Sequence, residues 1–341
     1  MILDALTRDN PHLSRPTNSL PDDPNGPPSE CQTLTLGDHV CASTCTHEVP
    51  DQVAALVEAS ISENTRRAYR SDLKAWGGQL PADPSTVASY LAAHAETLSV
   101  ATLVRRLATI SKAHQARGLP NPCRSEIVRA TLRGIKRTRG IAQREAKPLL
   151  KEDLFRVLDA MGESMKAARD RALLLIGFAG GFRRSELVAL DFADIERVRQ
   201  GMIIVLRRSK VDQVGAGRKI GIPYGRTRNC PIVALDHWLA VSGIDNGSIF
   251  RPVDRQGRVA TERLSGEAVS IVIKERVAAV GMDASGFSGH SLRAGFATSA
   301  AQAGVPSFKI RAQTGHASDA MLARYVRDGE LFTGNAAGAL L

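Results

Sequence analysis

The sequence predicts a mainly α-helical protein of two domains, a helical N-terminal domain and a mixed α+β C-terminal domain with one small antiparallel sheet. Helical periodicity, with apolar residues three and four positions apart, recurs from residue 65 almost to the end of the chain. Strand character is clear only in residues 201–224, where two apolar runs flank a polar stretch. A chain of 341 residues with 43% apolar content is long enough for about two domains with cores of their own.

The first 50 residues differ from the rest of the chain in charge and pattern. They contain seven acidic and two basic residues, whereas the remainder contains 28 acidic and 43 basic residues. They are rich in Pro, Asp, Ser and Thr and lack a helical or strand period. Residues 1–50 are therefore predicted to be a flexible, mostly disordered leader. Cys41, Cys45 and His47 lie in this leader, but they do not complete the four-ligand spacing of a structural zinc site.

Residues 51–140 show only helical signals and are predicted to form a domain of small helices. The helices are expected at 65–76, at 84–91, at 100–117 and at 125–137. In the third of them, Leu103, Leu107 and Ile110 share one face, which we expect to be buried. Gly118 and Pro120 end that helix.

The last two of these helices also carry many basic residues. Those we select as candidate DNA contacts are Arg105, Arg106, Lys112, Arg129, Arg133 and Lys136. A solvated surface face would explain any single one of them equally well. Together, on successive helices of one small domain, they are typical of a surface that contacts DNA phosphates, which supplies affinity and register without reading the base sequence.

Residues 141–148 are predicted to link the two domains, because the apolar period is lost there and Pro148 blocks a helix. The second domain then covers residues 149–327. Its predicted helices lie at 149–161, 167–179, 231–242, 265–280, 290–303, 306–313 and 318–327, with a hairpin of strands 202–206 and 219–223 between the second and third. The helix at 167–179 contains four consecutive large apolar residues and is expected at the centre of the core.

Composition favours some partners and argues against others. A net charge of +10 and a pI of about 9.7 favour a polyanion, and an aromatic content of 4% is low for the stacking platforms of single-strand binders. Double-stranded DNA is therefore the expected partner. The sequence has no run of about 18 apolar residues and no signal peptide, so we expect a cytoplasmic protein without a membrane partner. Five scattered cysteines do not indicate a disulfide framework.

Separated motifs in the second domain contain residues suited to phosphodiester chemistry. They are Arg183 in Gly-Phe-Arg-Arg-Ser-Glu-Leu, His290 and Arg293 in His-Ser-Leu-Arg, His316 in Gly-His, and Tyr325. Two arginines suit a phosphate that is contacted twice, because each guanidinium offers a planar fork of donors and keeps its charge. Two histidines add proton transfer and the tyrosine adds a nucleophile. The set indicates cleavage of a phosphodiester by a tyrosine.

In this order, and with Arg-Ser-Lys210-Val-Asp-Gln in the hairpin, the motifs resemble the signature of the tyrosine recombinases, also called the phage integrase family. The resemblance spans roughly residues 60–341. The chain is most similar to Cre-like members in its length, in its helical N-terminal domain without an arm-binding domain, and in the short tail after Tyr325. His316 departs from the Cre-like pattern, which usually has tryptophan there, and agrees with the wider family. The resemblance implies the tyrosine recombinase fold and a site-specific DNA recombinase.

The resemblance also implies a role for each matching residue. Tyr325 attacks the scissile phosphate and gives a 3′-phosphotyrosyl enzyme and a free 5′-hydroxyl, so that rejoining needs no ATP. Arg183 and Arg293 hold the non-bridging oxygens and stabilise the pentavalent transition state. His290 assists proton transfer with the nucleophile, and His316 donates a hydrogen bond to a phosphate oxygen.

The leaving 5′-oxygen needs a proton, and the matching position assigns the general acid to Lys210. Lys219, on the opposite limb of the same hairpin, is the alternative. Glu186 is expected to orient the active site rather than to act as an acid or base. No carboxylate cluster resembling a metal site accompanies these residues, so cleavage is expected to need neither a metal nor a cofactor.

The tail, residues 328–341, carries an apolar set too large for a free end. It either folds back on its own domain or, as the resemblance implies, forms a helix that docks on a neighbouring protomer and builds a head-to-tail homotetramer on two paired recognition sites. Strand exchange would then pass through a Holliday junction. Two alternatives remain: a type IB topoisomerase-like enzyme, disfavoured by the apolar tail, and a catalytically idle DNA-binding accessory protein, disfavoured by the presence of Tyr325 and Arg293.

Overall fold

The structure, a computed structural model, describes residues 52, 56, 59–140, 146–207 and 217–330, with the backbone alone for residue 324 and for residues 326–330. Contacts divide the chain into two compact units, with the division between Gln143 and Arg144. The predicted leader, residues 141–145 of the predicted linker, Lys210 and the tail from residue 331 lie outside the described residues, so what we predict of them stays a prediction.

The N-terminal unit is helical in its described part, as the sequence predicts. Its helices are α1 (Glu63–Trp76), α2 (Pro84–Ala93), α3 (Val100–Ala116) and α4 (Glu126–Arg139). Ser62, Asp83 and Ser99 precede the first three and cap them, because each side chain accepts a hydrogen bond from a backbone N–H in the first turn. The apolar faces of the helices meet in one core around Leu91 and Leu103, which are fully buried.

A buried histidine links two parts of this unit. The Nδ1 atom of His114, on α3, lies 2.9 Å from the carbonyl oxygen of Ile110, and its Nε2 atom accepts a hydrogen bond of 3.0 Å from the Ala82 N–H. Both ring nitrogens are therefore occupied inside the unit. This arrangement assigns His114 a structural role, joining α3 to the segment that precedes α2.

The C-terminal unit begins with three helices, α5 (Lys151–Asp159), α6 (Met165–Ala179) and α7 (Arg184–Ala189). Leu173, Leu174 and Ile176 on α6 are fully buried, which confirms that this helix is central to the core. The sequence did not reveal α7, because six residues are too few to show a helical period.

The sheet of this unit has three antiparallel strands in sequence order, β1 (Ile195–Val198), β2 (Gly201–Leu206) and β3 (Arg218–Pro223). The predicted hairpin is confirmed by the pairing of β2 with β3, in which Leu206 lies opposite Arg218. The additional strand β1 was missed because its four residues, Ile-Glu-Arg-Val, include two charges in the middle and offer no apolar run.

The remaining described helices are α8 (Pro231–Ser242), α9 (Gly266–Ala278), α10 (Ser291–Gln302), α11 (Ser307–Thr314) and α12 (Asp319–Glu330). The backbone of α12 continues three residues past the predicted end at 327. The last three helices share a small apolar cluster that contains Ala297, Ile310 and Leu322, and Tyr325 packs against it. In the part of the chain that the structure describes, no helix combines the length and the apolar character needed to cross a membrane.

Candidate active site

Arg183 is held in place by Glu186 at the start of α7. The Arg183 N–H donates to Glu186 Oε2 over 3.0 Å, and its Nη1 donates to Glu186 Oε1 over 2.6 Å. The carboxylate is 3% exposed, so this ion pair is shielded from water. Nη2 of Arg183 also donates to the Gly315 carbonyl oxygen over 3.3 Å. Glu186 thus holds both the backbone and the guanidinium of Arg183.

Arg293 lies on α10 and is only 4% exposed. Its Nη1 donates to the carbonyl oxygens of Gly181, over 2.7 Å, and Thr314. Its Nη2 is buried and has no hydrogen-bond partner among the described residues. Burial, together with the charges of Arg183 and Arg218, lowers the pKa of Arg293 to about 10, although Glu186 and Tyr325 act in the opposite sense. Arg293 therefore stays a cation at neutral pH, with one donor available for an anion.

His316 lies near the charges of both arginines and beside the ring of Tyr325. The rings of His316 and Tyr325 are 5.7 Å apart between centroids, with an angle of 42° between their planes. Burial and then the charges of Arg293, Arg183 and Arg218 lower the pKa of His316 from 6.5 to about 4. The imidazole is therefore neutral at neutral pH, and it carries a single proton on one of its two nitrogens.

Thr314 influences which nitrogen of His316 holds that proton. The Thr314 hydroxyl donates to the Ile310 carbonyl oxygen over 2.7 Å and lies 2.7 Å from His316 Nδ1. Because a hydroxyl has one proton, this donation makes Thr314 the acceptor from Nδ1–H and leaves Nε2 with a lone pair. The predicted donation from His316 to a phosphate oxygen requires the other tautomer, in which Thr314 turns its proton towards Nδ1.

The pKa of His316 leads to a prediction about stability and pH. The folded protein keeps this ring neutral down to about pH 4, whereas an unfolded chain takes up a proton below about pH 6.5. The stability that depends on the neutral ring is therefore complete above pH 6.5 and is lost as the pH falls towards 4. We expect wild type to lose about 1–2 kcal/mol more than His316→Gln between pH 7 and pH 4, as measured by urea unfolding. Equal losses in the two proteins would contradict this account.

His290 lies immediately before α10, three residues from Arg293, and its side chain is exposed. Its backbone N–H donates to Ser288 Oγ over 3.2 Å, which helps to set the start of the helix. The structure thus brings together Arg183, Glu186, Arg293, His316 and Tyr325, with His290 at the solvent-exposed entrance of the helix that carries Arg293. Lys210 belongs to the hairpin connection outside the described residues.

Arg218, the first residue of β3, is a site residue that the sequence analysis missed. Its Nη1 donates to the carbonyl oxygens of Ala312 and Gln313, over 3.2 and 2.9 Å. Burial lowers its pKa, Glu186 raises it and Arg183 lowers it, so the guanidinium lies within electrostatic reach of the site. Strand alternation could have revealed it, because Arg218 shares the period-two face of the buried Ile220 and Ile222, whereas Lys219 points to the exposed face.

The candidate DNA contacts of the N-terminal unit fall into two groups. Arg105 and Arg106 on α3 approach the buried carboxylate of Asp72, at 2.8 and 3.8 Å, and Arg106 also lies over the ring of Tyr90. Arg106 is consequently the more enclosed of the two, with 15% of its side chain exposed against 53% for Arg105. The second group has no such buried anchor among the described contacts: Lys112, Arg129 and Arg133 are exposed and Lys136 is half-buried.

The described residues contain no group of three or more His, Cys, Asp or Glu side chains arranged to hold a metal ion. The arrangement in the C-terminal unit is instead a set of guanidiniums with a neutral imidazole beside a phenol. Such a set can bind an anion, stabilise charge that develops on it, and present an oxygen nucleophile.

Comparisons with known proteins agree with this chemistry. The sequence matches the phage integrase family over residues 147–330 and the N-terminal SAM-like domain of phage integrases over residues 54–117. It is 39% identical over 293 residues to an integrase/recombinase xerD homolog of Selenomonas ruminantium, covering 82% of this chain and 86% of that protein. It is 28% identical over 303 residues to the recombinase cre of Escherichia phage P1, covering 81% and 87%. Of these two relatives, the xerD homolog has the higher identity.

A solved structure has the same fold. A lambda integrase tetramer bound to a Holliday junction matches with a TM-score of 0.59 and 19% identity, over 82% of this chain and 76% of that one. At this identity the match is evidence for the fold alone. It confirms the predicted fold class, in which helices predominate and a small antiparallel sheet lies in the C-terminal unit.

Proposed function

The chain belongs to the phage integrase family and is a tyrosine site-specific recombinase, and from this premise we propose that it cleaves and rejoins duplex DNA through a 3′-phosphotyrosyl intermediate at Tyr325. The observation that carries the proposal is the convergence of Arg183, Arg293 and His316 beside Tyr325. A tyrosine alone would be an ordinary packing residue. A tyrosine next to an anion site made of buried guanidiniums is positioned for attack on a phosphodiester.

The two arginines bind the scissile phosphate in this proposal. Nη2 of Arg293 is buried without a partner among the described residues, so a non-bridging oxygen would complete its hydrogen bonding. Arg183 is preorganised by Glu186 and needs little rearrangement to contact the second oxygen. Fixed donors of this kind act most strongly on the transition state, where the phosphorus group carries an additional negative charge.

Covalent attack moves two protons. The Oη atom of Tyr325 forms a bond to phosphorus while the bond from phosphorus to the 5′-oxygen breaks, and the phenol proton passes to His290. The leaving 5′-oxygen takes a proton from Lys210. Lys219 is the weaker candidate for this second step, because its side chain lies on the exposed face of β3, opposite the face that carries Arg218. Rejoining reverses both transfers and regenerates the tyrosine.

Positive charge surrounds the nucleophile in this proposal. A tyrosine has a reference pKa of about 10 and reacts as the phenolate, so an unaided phenol is a poor nucleophile. The charges of Arg183, Arg218 and Arg293 all act at the site, since each of them lowers the pKa of the His316 imidazole beside Tyr325. The same cations that hold the phosphate therefore surround the nucleophile, and they stabilise the negative charge that develops as it attacks.

The helical N-terminal unit supplies binding to duplex DNA in this proposal. Lys112, Arg129 and Arg133 expose their charges, and Arg105 exposes half of its side chain while Asp72 fixes its orientation. A guanidinium anchored on one side and open on the other loses little conformational entropy when it meets a phosphate. We expect these residues to contribute affinity that falls with salt concentration, rather than base-specific recognition.

Assembly is the last part of the proposal. We infer that the protein acts as a homotetramer on two paired DNA sites and passes through a Holliday junction, the kind of DNA to which the lambda integrase tetramer is bound. The apolar tail, residues 328–341, docks on the neighbouring protomer. The idle accessory protein is the less favoured alternative, because Arg183, Arg293 and His316 lie near Tyr325.

Covalent capture from a randomised pool of DNA tests the proposal whatever the target sequence is. The pool consists of nicked duplexes with two inverted randomised arms around a short spacer, incubated with the protein in EDTA. The nick lets the fragment bearing the 5′-hydroxyl diffuse away, so that rejoining cannot reverse the cleavage. We expect adducts that resist denaturant, enriched in particular arm sequences, with the protein on the 3′ phosphate.

Other results of the capture experiment would change the assignment. DNA binding without adducts would favour the idle accessory protein. Adducts formed only when a divalent cation is present would contradict metal-independent cleavage. Adducts that show no sequence enrichment, and no joined products between two different duplexes, would favour the topoisomerase-like alternative.

A further inference from the structure

Arg218 is directed towards the active site by the strand on which it lies. Side chains along β3 alternate between faces, and Arg218 lies on the same face as Ile220 and Ile222, each 1% exposed. The neighbouring Lys219 lies on the exposed face. The backbone therefore sends the Arg218 guanidinium towards the protein interior, where a cation is retained only when something compensates its charge.

Residues 312–315 accept hydrogen bonds from Arg218 and from both arginines of the proposed phosphate site. Arg218 donates to the carbonyl oxygens of Ala312 and Gln313. In the same segment, the Thr314 carbonyl oxygen accepts from Arg293 and the Gly315 carbonyl oxygen accepts from Arg183. Three guanidiniums thus meet the carboxyl end of α11, whose last carbonyl groups have no partner inside the helix.

Gly315 makes room for the guanidinium of Arg218. A Cβ atom at this position would lie 2.5 Å from Nη1 and 2.7 Å from Cζ of Arg218, both closer than real contacts allow. Gly315 also has a φ of +66°, which glycine adopts without strain. Because His316 follows directly, Arg218 packs against the turn that positions the imidazole beside Tyr325.

The charges of the described site residues do not balance without an anion. Among the described residues, Arg183, Arg218 and Arg293 carry three positive charges against the single carboxylate of Glu186, which leaves a formal charge of +2 for this described set. Nη2 of Arg218, like Nη2 of Arg293, is buried without a hydrogen-bond partner among the described residues. A phosphodiester carries one negative charge and its pentavalent transition state carries about two, so such a state would neutralise the site.

We propose that Arg218 is a third phosphate-binding arginine of the active site, whose Nη2 donates to the scissile phosphate beside Arg183 and Arg293. This inference rests on the proposed function and extends it. The competing view is that Arg218 only caps the carboxyl end of α11. The two views differ in whether the effect of Arg218 depends on the charge of the phosphate.

A DNA substrate with a neutral group in place of the scissile phosphate distinguishes the phosphate-binding view of Arg218 from the capping view. The test compares Arg218→Ala and Arg218→Lys with wild type on one captured duplex, made either with a normal scissile phosphate or with a methylphosphonate at that position. Arg197→Ala is the matched control, because Arg197 lies on β1 of the same sheet and pairs with Asp236. Melting curves and mobility shifts verify that each variant folds and binds DNA.

We expect Arg218→Ala to slow capture about 30- to 100-fold on the normal duplex and less than about 3-fold on the methylphosphonate duplex. The methylphosphonate is neutral, so its pentavalent state lacks the second negative charge that Arg218 would stabilise. Arg218→Lys should fall between Arg218→Ala and wild type on the normal duplex, and Arg197→Ala should resemble wild type on both. If wild type does not cleave the methylphosphonate, the comparison uses binding by Tyr325→Phe. That protein should prefer the charged duplex and lose part of this preference when Arg218→Ala is added, because Arg183 and Arg293 remain.

Equal slowing on both duplexes, no slowing at all, or an unchanged preference in binding would each overturn the proposal. Equal slowing would assign Arg218 to capping of α11. The failure of wild type to capture any duplex of the pool would instead overturn the proposed function itself, so the two failures are distinguishable.

Discussion

Replacing Tyr325 with phenylalanine is expected to abolish covalent capture of DNA and to leave DNA binding unchanged. The substitution removes one oxygen and keeps the ring that packs against the cluster of α10, α11 and α12 and lies 5.7 Å from the His316 ring. The fold and the anion site should therefore persist. Phenylalanine has no oxygen that can form the bond to phosphorus, so the loss should be complete within the detection limit, at least about 10³-fold.

Tyr224 provides a matched control for this experiment. It follows β3 in the same unit and is 50% exposed, so Tyr224→Phe removes a phenol that the proposed mechanism does not use. We expect Tyr224→Phe to form adducts at the wild-type rate. The attachment site is identified by mass spectrometry of the peptide that retains a nucleotide after nuclease digestion. Adducts that persist in Tyr325→Phe would assign the nucleophile to another residue.

The long helices could be predicted from the sequence because their apolar faces repeat over several turns. The helix at 231–242 has the same ends in the prediction and in the structure, since proline starts it and glycine follows it. The helix at 167–179 is likewise central to the core. Periodicity over 12 or more residues outweighs local exceptions, and such elements are the ones a sequence determines best.

Short elements are harder to predict, and the reason is physical. The six residues of α7 and the four of β1 form because neighbouring structure holds them: Glu186 binds the Arg183 N–H, and β1 pairs along β2. Neither segment has a pattern of its own that would favour a helix or a strand. Tertiary contacts decide such segments, so local propensity says little about them.

The same distinction applies to the site. Arg183, Arg293, His316 and Tyr325 could be selected because their motifs combine several chemically informative residues. Arg218 belongs to no such motif, and only the direction of β3 and the space at Gly315 show its place. The sequence offers a choice between Lys210 and Lys219, and because Lys210 lies outside the described residues its assignment stays a prediction. A residue without a motif, such as Arg218, can be recognised only once its position in the folded structure is known.

Arg293 is expected to have the second largest effect on cleavage. Its Nη1 is engaged by the carbonyl oxygens of Gly181 and Thr314, so its Nη2, which has no partner among the described residues, is held in a fixed direction before DNA arrives. Removing one such preorganised donor typically costs about 10²–10³-fold in rate. We expect Arg293→Ala to slow capture by about 10³-fold. Arg293→Lys should slow capture about 10²-fold. Lysine keeps the positive charge, but it lacks the planar guanidinium that can donate to two carbonyl oxygens and to a phosphate at the same time.

Because Arg293 is 4% exposed, replacing it can also destabilise the fold. The experiment therefore has to separate a loss of stability from a loss of catalysis. Arg258→Ala is the control, since Arg258 is exposed and pairs with Asp254, four residues earlier in the chain. Melting temperature and DNA affinity are measured beside the capture rate. Arg293→Lys should retain most of its affinity, because many phosphate contacts share the binding energy, while its chemical step is slow. A variant that folds, binds and cleaves like wild type would show that Arg293 holds the turn at Thr314 and does not act on the phosphate.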